Sequence, residues 1–344
     1  MRKSKRWVVS VMVVFVLLGI IGLGYSSAQV PKYKLRLQTH VPPEDTKRVM
    51  TKLIEMISAM SGGAIEISPF SFGAIVPVRE VLDAVGKGTL DMAWYAEGYW
   101  WKTIPVTEIG GGLPFVFRDL EEARNFMWVK GFGDLLREGY AKHNVYFLPS
   151  EPYSVGIMTK KPIRKVEDLR GMKLRAYGTM ADWLAKLKAS TVFIPGGELY
   201  TALATGVVEG AHWGDAGPMY VQKFHEVLKN YMMPEPIVGA WNNFMINMDL
   251  WKKFTPEQKA MIETAAMGCT TFLSTNLTRM LSKRSLNEMV AKWNVNVVTL
   301  PETEIEKMKK ASLELQEDIA KKDPVCAKAM SMLRDFMKEL GYEK

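Results

Sequence analysis

Cysteine is nearly absent from the 344 residues. Cys269 and Cys326 are the only two, which excludes a disulfide-stapled scaffold and a thiolate-rich metal centre. In an exported chain the pair could form one bridge, and spacing alone does not decide it. Histidine is almost as scarce: only His40, His143, His212 and His225 occur, and none stands in HExxH or another metal-ligand spacing. A Gly-x-Ser-x-Gly elbow is missing, and Gly110-Gly111-Gly112 lacks the spacing and following helix of a dinucleotide fingerprint. With these signatures gone, the chain is not read as an enzyme and no cofactor is expected. No internal repeat or low-complexity linker is found, and after Leu23 no apolar run is long enough to cross a membrane. Nor is there a dense basic block. The net charge of +8 is spread along the chain, so nucleic acid is excluded as a partner.

What is present begins with a targeting segment. Arg2, Lys3, Lys5 and Arg6 precede an apolar run from Val8 to Leu23, and Ser26-Ser27-Ala28 supplies the small residues a signal peptidase inspects. Cleavage is expected after Ala28, making residues 1–28 a signal peptide. An uncleaved anchor is the alternative, although about 16 apolar residues fall short of the roughly 20 a span needs. No cysteine lies near the cut, so a lipoprotein is not expected. The mature chain, about 316 residues with a net charge of about +4, is long enough for one large or two medium lobes. Its expected location is the periplasm.

The mature chain then alternates strands and helices. Tyr33 to Thr39 has the period-two pattern of a strand, and Val49, Met50, Leu53, Ile54, Ile57 and Met60 recur at helical spacing until Gly62-Gly63. Further strands are predicted over 64–68, 90–95, 145–148, 155–159, 173–176, 191–194, 210–213 and 244–247. Helices are predicted over 78–85, 119–127, 132–142, 180–187 and 198–205. This rhythm specifies an α/β class with crossover helices. Thr255-Pro256-Glu257-Gln258 is a capping-box start. The helix it opens runs without a clear stop to Trp293, with a break near Gly268 left open.

Several stretches in order resemble one family, the substrate-binding proteins of tripartite ATP-independent periplasmic (TRAP) transporters. They are Phe72-Gly73, Arg79 to Val85, Gly88 to Met92, Leu113 to Asp119, Asp168 to Arg175, Gly196 to Leu203 and Gly206 to Gly210. Each is weak alone; their order and spacing are specific, and the match covers nearly all of the mature chain. The resemblance implies a type II-like periplasmic binding fold, with two α/β lobes around a ligand cleft and a long spine helix. Lobe 1 would comprise residues 29–149 and 239–278, and lobe 2 residues 150–238 and 279–344. Implied with it are capture of a small organic acid, cleft closure, delivery to the membrane subunits of a TRAP transporter, and no catalysis. A ligand sensor using the same cleft is the alternative, and an exported enzyme a more remote one. Some relatives pair through their helical tails, so a homodimer stays open.

By the resemblance, Arg175 is the carboxylate-binding residue. A guanidinium fork suits that role, because it matches a carboxylate in two parallel hydrogen bonds; pairing with a structural acid is the alternative. Trp213 is a pocket-wall candidate or a core residue. His212 beside it is either a ligand donor or a satisfied histidine. Among five aromatics between Trp94 and Trp101, Tyr99 and Tyr95 are the candidates from the first lobe. Tyr153, Ser154, Tyr200, Trp241 and Asn243 are further ones. Some relatives hold their acid through a cation bound by a glutamate just before the pocket tryptophan. Here that position is His212, and a second such glutamate aligns with Val238, so no metal is expected. One firm arginine among aromatics suits a monocarboxylate with an apolar or aromatic body, or a small 2-oxo or 2-hydroxy acid.

Overall fold

Each strand of the first α/β unit is short, and the residue that ends it determines what reaches the cleft. The computed structural model describes residues 33–342, with the side chains of 270 and 274–277 excepted. The expected signal peptide lies outside the described residues. Among the described residues ten strands are present: β1 Tyr33–Thr39, β2 Ile65–Phe70, β3 Met92–Ala96, β4 Val145–Thr159, β5 Lys173–Arg175, β6 Ser190–Val192, β7 Gly210–Trp213, β8 Asn230–Met233, β9 Ile237–Asn247 and β10 Asn296–Thr299. The longer helices are α1 Pro43–Met60, α2 Val81–Gly86, α3 Phe132–Ala141, α4 Gly178–Lys186, α5 Gly196–Thr205, α6 Pro256–Thr271, α7 Met280–Trp293, α8 Glu302–Ala320 and α9 Pro324–Glu339.

The strands run in the order β2-β1-β3-β9-β4-β7-β5-β6, with β8 pairing to β4 and to β10. Parallel pairs β1–β2, β1–β3, β5–β6 and β5–β7 carry the crossovers, whereas β9 is antiparallel to β3 and β4. Strand β4 joins the two halves. Val145 to Val155 pairs with β9, and Gly156 to Thr159 pairs with β7. One strand thus serves two sheets, and the result is the two-lobed α/β fold.

Sequence periodicity predicts two strands where β4 is one. The gap it leaves contains Pro149 and Pro152, which lack the amide hydrogen a ladder needs. The structure carries the strand through them with register shifts at Pro149/Glu151 and Tyr153/Ser154. The parallel pair β8–β10 has no counterpart in the sequence reading, because four-residue strands give too short a pattern.

Packing follows the periodicity. Helix α1 buries Val49, Met50, Leu53 and Ile57 against β1 and β2, each buried side chain of this size contributing about 1.5–3 kcal/mol. Thr255 and Gln258 form the reciprocal capping box: Gln258 N donates to Thr255 Oγ1 at 3.3 Å and Thr255 N to Gln258 Oε1 at 3.1 Å. From there helix continues to Trp293. The chain does not break at Gly268; it widens into a π-helical stretch over Phe272–Arg279. The tail reaches two separate helices: Trp183 Nε1 of α4 donates to Met308 O of α8, while Lys130, just before α3, pairs with Glu339 of α9. Cys269 and Cys326 are both free and buried, so they form no bridge.

Candidate functional site

Strand ends converge on one cavity. His40 follows β1, Ala96 ends β3, Arg175 ends β5 and Trp213 ends β7, and all four line a space of about 100 Å³. Carboxyl ends of strands are where crevices open in α/β sheets, because the following loops splay to either face. Three glycines make the geometry feasible. The backbones at Gly98 and Gly111 approach so closely that a Cβ on Gly111 would sit 2.9 Å from Gly98 Cα. A Cβ on Gly196 would lie 2.6 Å from the Trp213 ring, so a glycine at the start of α5 leaves room for that indole.

Arg175 dominates one end. It is 0% exposed. Its Nε donates to Ile194 O at 3.0 Å and Nη1 to His212 O at 3.1 Å, while Nη2 has no protein partner. The guanidinium carbon lies 4.7 Å from the Tyr177 ring centre and 4.8 Å from that of Trp213. These faces partly stabilise the cation. None of the ion pairs among the described residues includes Arg175. A buried charge that donates to two carbonyls and forms no ion pair lacks its counter-ion, and burying it unpaired costs several kcal/mol. Tyr99, Tyr177 and Tyr153 surround this end. Burial raises all three phenols, and the Arg175 guanidinium pulls each partly back. His212 is neutral: burial, then Arg175, hold its pKa well below the usual range. His40, whose Nδ1 is 3.2 Å from Trp94 O, is lowered by burial to about 4.

The other end is acidic. Glu151 from β4 accepts from Asn242 Nδ2 at 3.1 Å and from Thr278 Oγ1 at 3.4 Å. Burial raises its pKa to about 7, with Asn242, Arg48, Thr278 and Arg124 opposing. Asp215 accepts from Gly217 N at 3.2 Å and from Ser282 Oγ. Burial and then Glu235 push its carboxyl up. At the rim, Arg48 Nη2 pairs with Asp45 at 2.8 Å.

Of the residues singled out in the sequence, Arg175, Trp213, Tyr99, His212 and Tyr153 line the cavity. Tyr95 lies beneath it, its hydroxyl accepting from Gln38 Nε2 at 3.0 Å. Ser154 is at the β4 register shift and hydrogen-bonds Glu235. Asn243 is buried behind β3, its amide donating to Tyr95 O at 2.7 Å and Glu97 Oε2 at 2.9 Å. Trp241 belongs to the core, and Tyr200 points away, donating to Glu226 at 2.5 Å. The sequence reading did not single out His40, Glu151, Tyr177, Asp215 or Asn242 as lining residues. His40 and Tyr177 follow strand ends and could have been found from that rule. Glu151 has no such signal.

Comparison with known proteins agrees with this architecture. A curated relative from Nostoc, a monocarboxylate 2-oxoacid-binding periplasmic protein, is 26% identical over 328 residues, covering 91% of this chain and 86% of its own. A TRAP transporter solute-binding protein from Bordetella bronchiseptica, solved with calcium and picolinate, superposes with a TM-score of 0.84 at 23% identity, covering 91% of this chain and 94% of that one. Another, from Pseudoalteromonas atlantica with sodium and pyruvate, gives 0.82 at 23% identity over 90% and 95%. The calcium and sodium are named for those structures and not for this chain. Neutral His212 precedes Trp213 beside the Arg175 cation, and among the described residues no three His, Cys, Asp or Glu side chains converge as a metal site requires. No helix among them is long and apolar enough to cross a membrane. The profile of the bacterial extracellular solute-binding proteins of family 7 matches residues 39–323, most of the chain, and the protein belongs to that family.

Proposed function

We propose that this protein is an extracytoplasmic receptor that captures a small organic acid by its carboxylate on Arg175 and hands it to the membrane subunits of a TRAP transporter. The single observation that supports the reading is the state of Arg175. Its guanidinium is buried, its Nη2 is unpartnered, and it faces a cavity walled by Tyr99, Tyr177 and Trp213. A carboxylate there would supply the missing counter-ion in a charge-assisted hydrogen bond. The aromatic walls suit a short apolar body, in line with the 2-oxoacid named for the Nostoc relative. Lobe 1 (29–149 and 239–278) and lobe 2 (150–238 and 279–344) would close over it, with Trp213 and Tyr99 meeting the ligand from opposite lobes. Binding needs no bound metal and no chemical step.

Thermal melts against pyruvate, lactate, benzoate and succinate, with and without chelator, test the reading. An acid at roughly 1,000 times its dissociation constant adds about 4 kcal/mol, enough to raise the melting temperature by several degrees. The expected outcome is a chelator-insensitive shift that Arg175→Met cuts by about half or more. Absence of a shift with every acid, in protein shown by native mass spectrometry to carry no ligand, would overturn it.

A further inference from the structure

The cavity has two ends of opposite character, and only one is explained by a carboxylate. Besides Arg175, the lining carries two buried carboxyls, Glu151 and Asp215. Glu151 and Asp215 are 3% and 5% exposed, and none of the ion pairs among the described residues includes either. Asn242 turns its amide nitrogen to Glu151, which leaves its Oδ1 buried without a partner. Asp215 is within electrostatic reach of Glu151, and Tyr153 of both Glu151 and Arg175, all four lining the same cavity. Across the whole lining, two arginines face three carboxylates: Arg48 and Arg175 against Asp45, Glu151 and Asp215. Arg48 is already held by Asp45 through Nε at 3.0 Å and Nη2 at 2.8 Å. A second anionic group on the ligand would meet a surplus of acids.

An acceptor-lined end needs a donor, and carboxylates without cations need a positive one. Building on the assignment of Arg175 to the carboxylate, we propose that the solute is a small zwitterion, an amino or imino carboxylate, whose charged nitrogen is taken by Glu151, Asp215 and the free Oδ1 of Asn242. A plain acid would occupy the Arg175 end and leave Asn242 Oδ1 without a donor and the two buried carboxyls without an ion pair. A zwitterion satisfies both ends at once, and its net neutrality matches a cavity that offers both signs. Tyr99, Tyr153 and Trp213 then wall the carbon frame between the charges.

Competition between two pools tests this. The protein is incubated with an equimolar mixture of the twenty protein amino acids, 4-aminobutanoate and glycine betaine. In parallel it is incubated with their amine-free counterparts, the corresponding 2-oxo and 2-hydroxy acids, butanoate and succinate. Retained compounds are identified by mass spectrometry, and each retained compound and its counterpart are titrated calorimetrically with and without sodium, calcium and chelator. The expected result is retention from the amine-bearing pool, with the amine worth about ten- to a hundredfold in affinity, the size of a hydrogen bond to a charged group. In Glu151→Gln and Asp215→Asn the ratio of affinities for the amine-bearing compound and its amine-free counterpart should shrink. The Gln and Asn variants keep shape and remove a buried charge, and their melting curves report folding directly. Retention only of amine-free acids, a dicarboxylate preferred over its amine analogue, or an affinity that depends on added sodium or calcium would each overturn the zwitterion while leaving Arg175 as the carboxylate site. Retention of neither pool would overturn the carboxylate reading and this one together.

Discussion

The two ends of the cavity are built differently. Arg175 stands on a regular parallel strand, paired through β5 with both β6 and β7, and its neighbours are rings that hold the guanidinium from two sides. Glu151 stands on the irregular middle of β4, between two prolines and two register shifts, and its neighbours are an amide, a hydroxyl and distant arginines. The first end fixes a permanent charge in a rigid frame. The second holds carboxyls whose charge depends on what enters. On the proposed reading, the first end would anchor the acid and the second would discriminate among acids, because specificity is a difference of affinities.

The largest effect expected concerns the anchoring end. Arg175→Met should weaken binding of any captured acid by at least about 30-fold, since truncating one partner of a buried charge pair costs about 2–5 kcal/mol. Calorimetry checks this, and a change below about threefold would dissolve the contrast between the ends. Next comes the titration of the acidic end. Glu151 is raised to about 7 in the fold from an ordinary 4.5, so between these values the folded state binds a proton that the unfolded chain has released. Stability of the ligand-free protein is therefore fully present below about pH 4.5, falls as pH rises to 7, and is flat beyond for this group, a loss of about 3 kcal/mol in order of magnitude. The groups that face Glu151 are Arg48, Arg124, Asn242 and Thr278, with Asp215 beyond, and the upward shift of Asp215 beside Glu235 carries the same sign. Melting temperatures over pH 4.5–8 should show this decline, and Glu151→Gln should flatten most of it.

A smaller effect tests the wall. Gly196→Ala drives a methyl to within 2.6 Å of the Trp213 ring, so the indole must move. Binding should fall about three- to tenfold, as about 1 kcal/mol of lost contact predicts, with the melting temperature of the free protein little changed. Smallest of all is Tyr200→Phe. Its hydroxyl serves Glu226 outside the cavity, so affinity should stay within about twofold, as surface changes away from a site do. A loss beyond tenfold would place α5 in the site.

The same contrast explains what was legible in the sequence. Helix α1, the capping box at Thr255 and the strand carrying His212-Trp213 follow from periodicity and capping chemistry, which act over a few residues. Arg175 was legible through the ordered motif from Asp168, and Tyr99 and Trp213 through aromatic residues placed after short strands. Glu151 was not, because the strand that holds it contains prolines, and its partners Asn242 and Thr278 are 91 and 127 residues away. Tyr95 and Asn243 read as site residues and lie just behind it. Strand alternation sends neighbours to opposite faces, and the sequence does not reveal which face meets the cavity. The π-helical stretch at Phe272–Arg279, which sets Thr278 against Glu151, gives no compositional sign either.

A crystal structure of the protein loaded with an acid it retains tests the central claim most directly. The account predicts a carboxylate oxygen about 2.7–2.9 Å from Arg175 Nη2, the range of a charge-assisted bond, with the body of the ligand between Tyr99 and Trp213. A carboxylate bound elsewhere in the cavity, with Nη2 still unpartnered or filled by water, would contradict it.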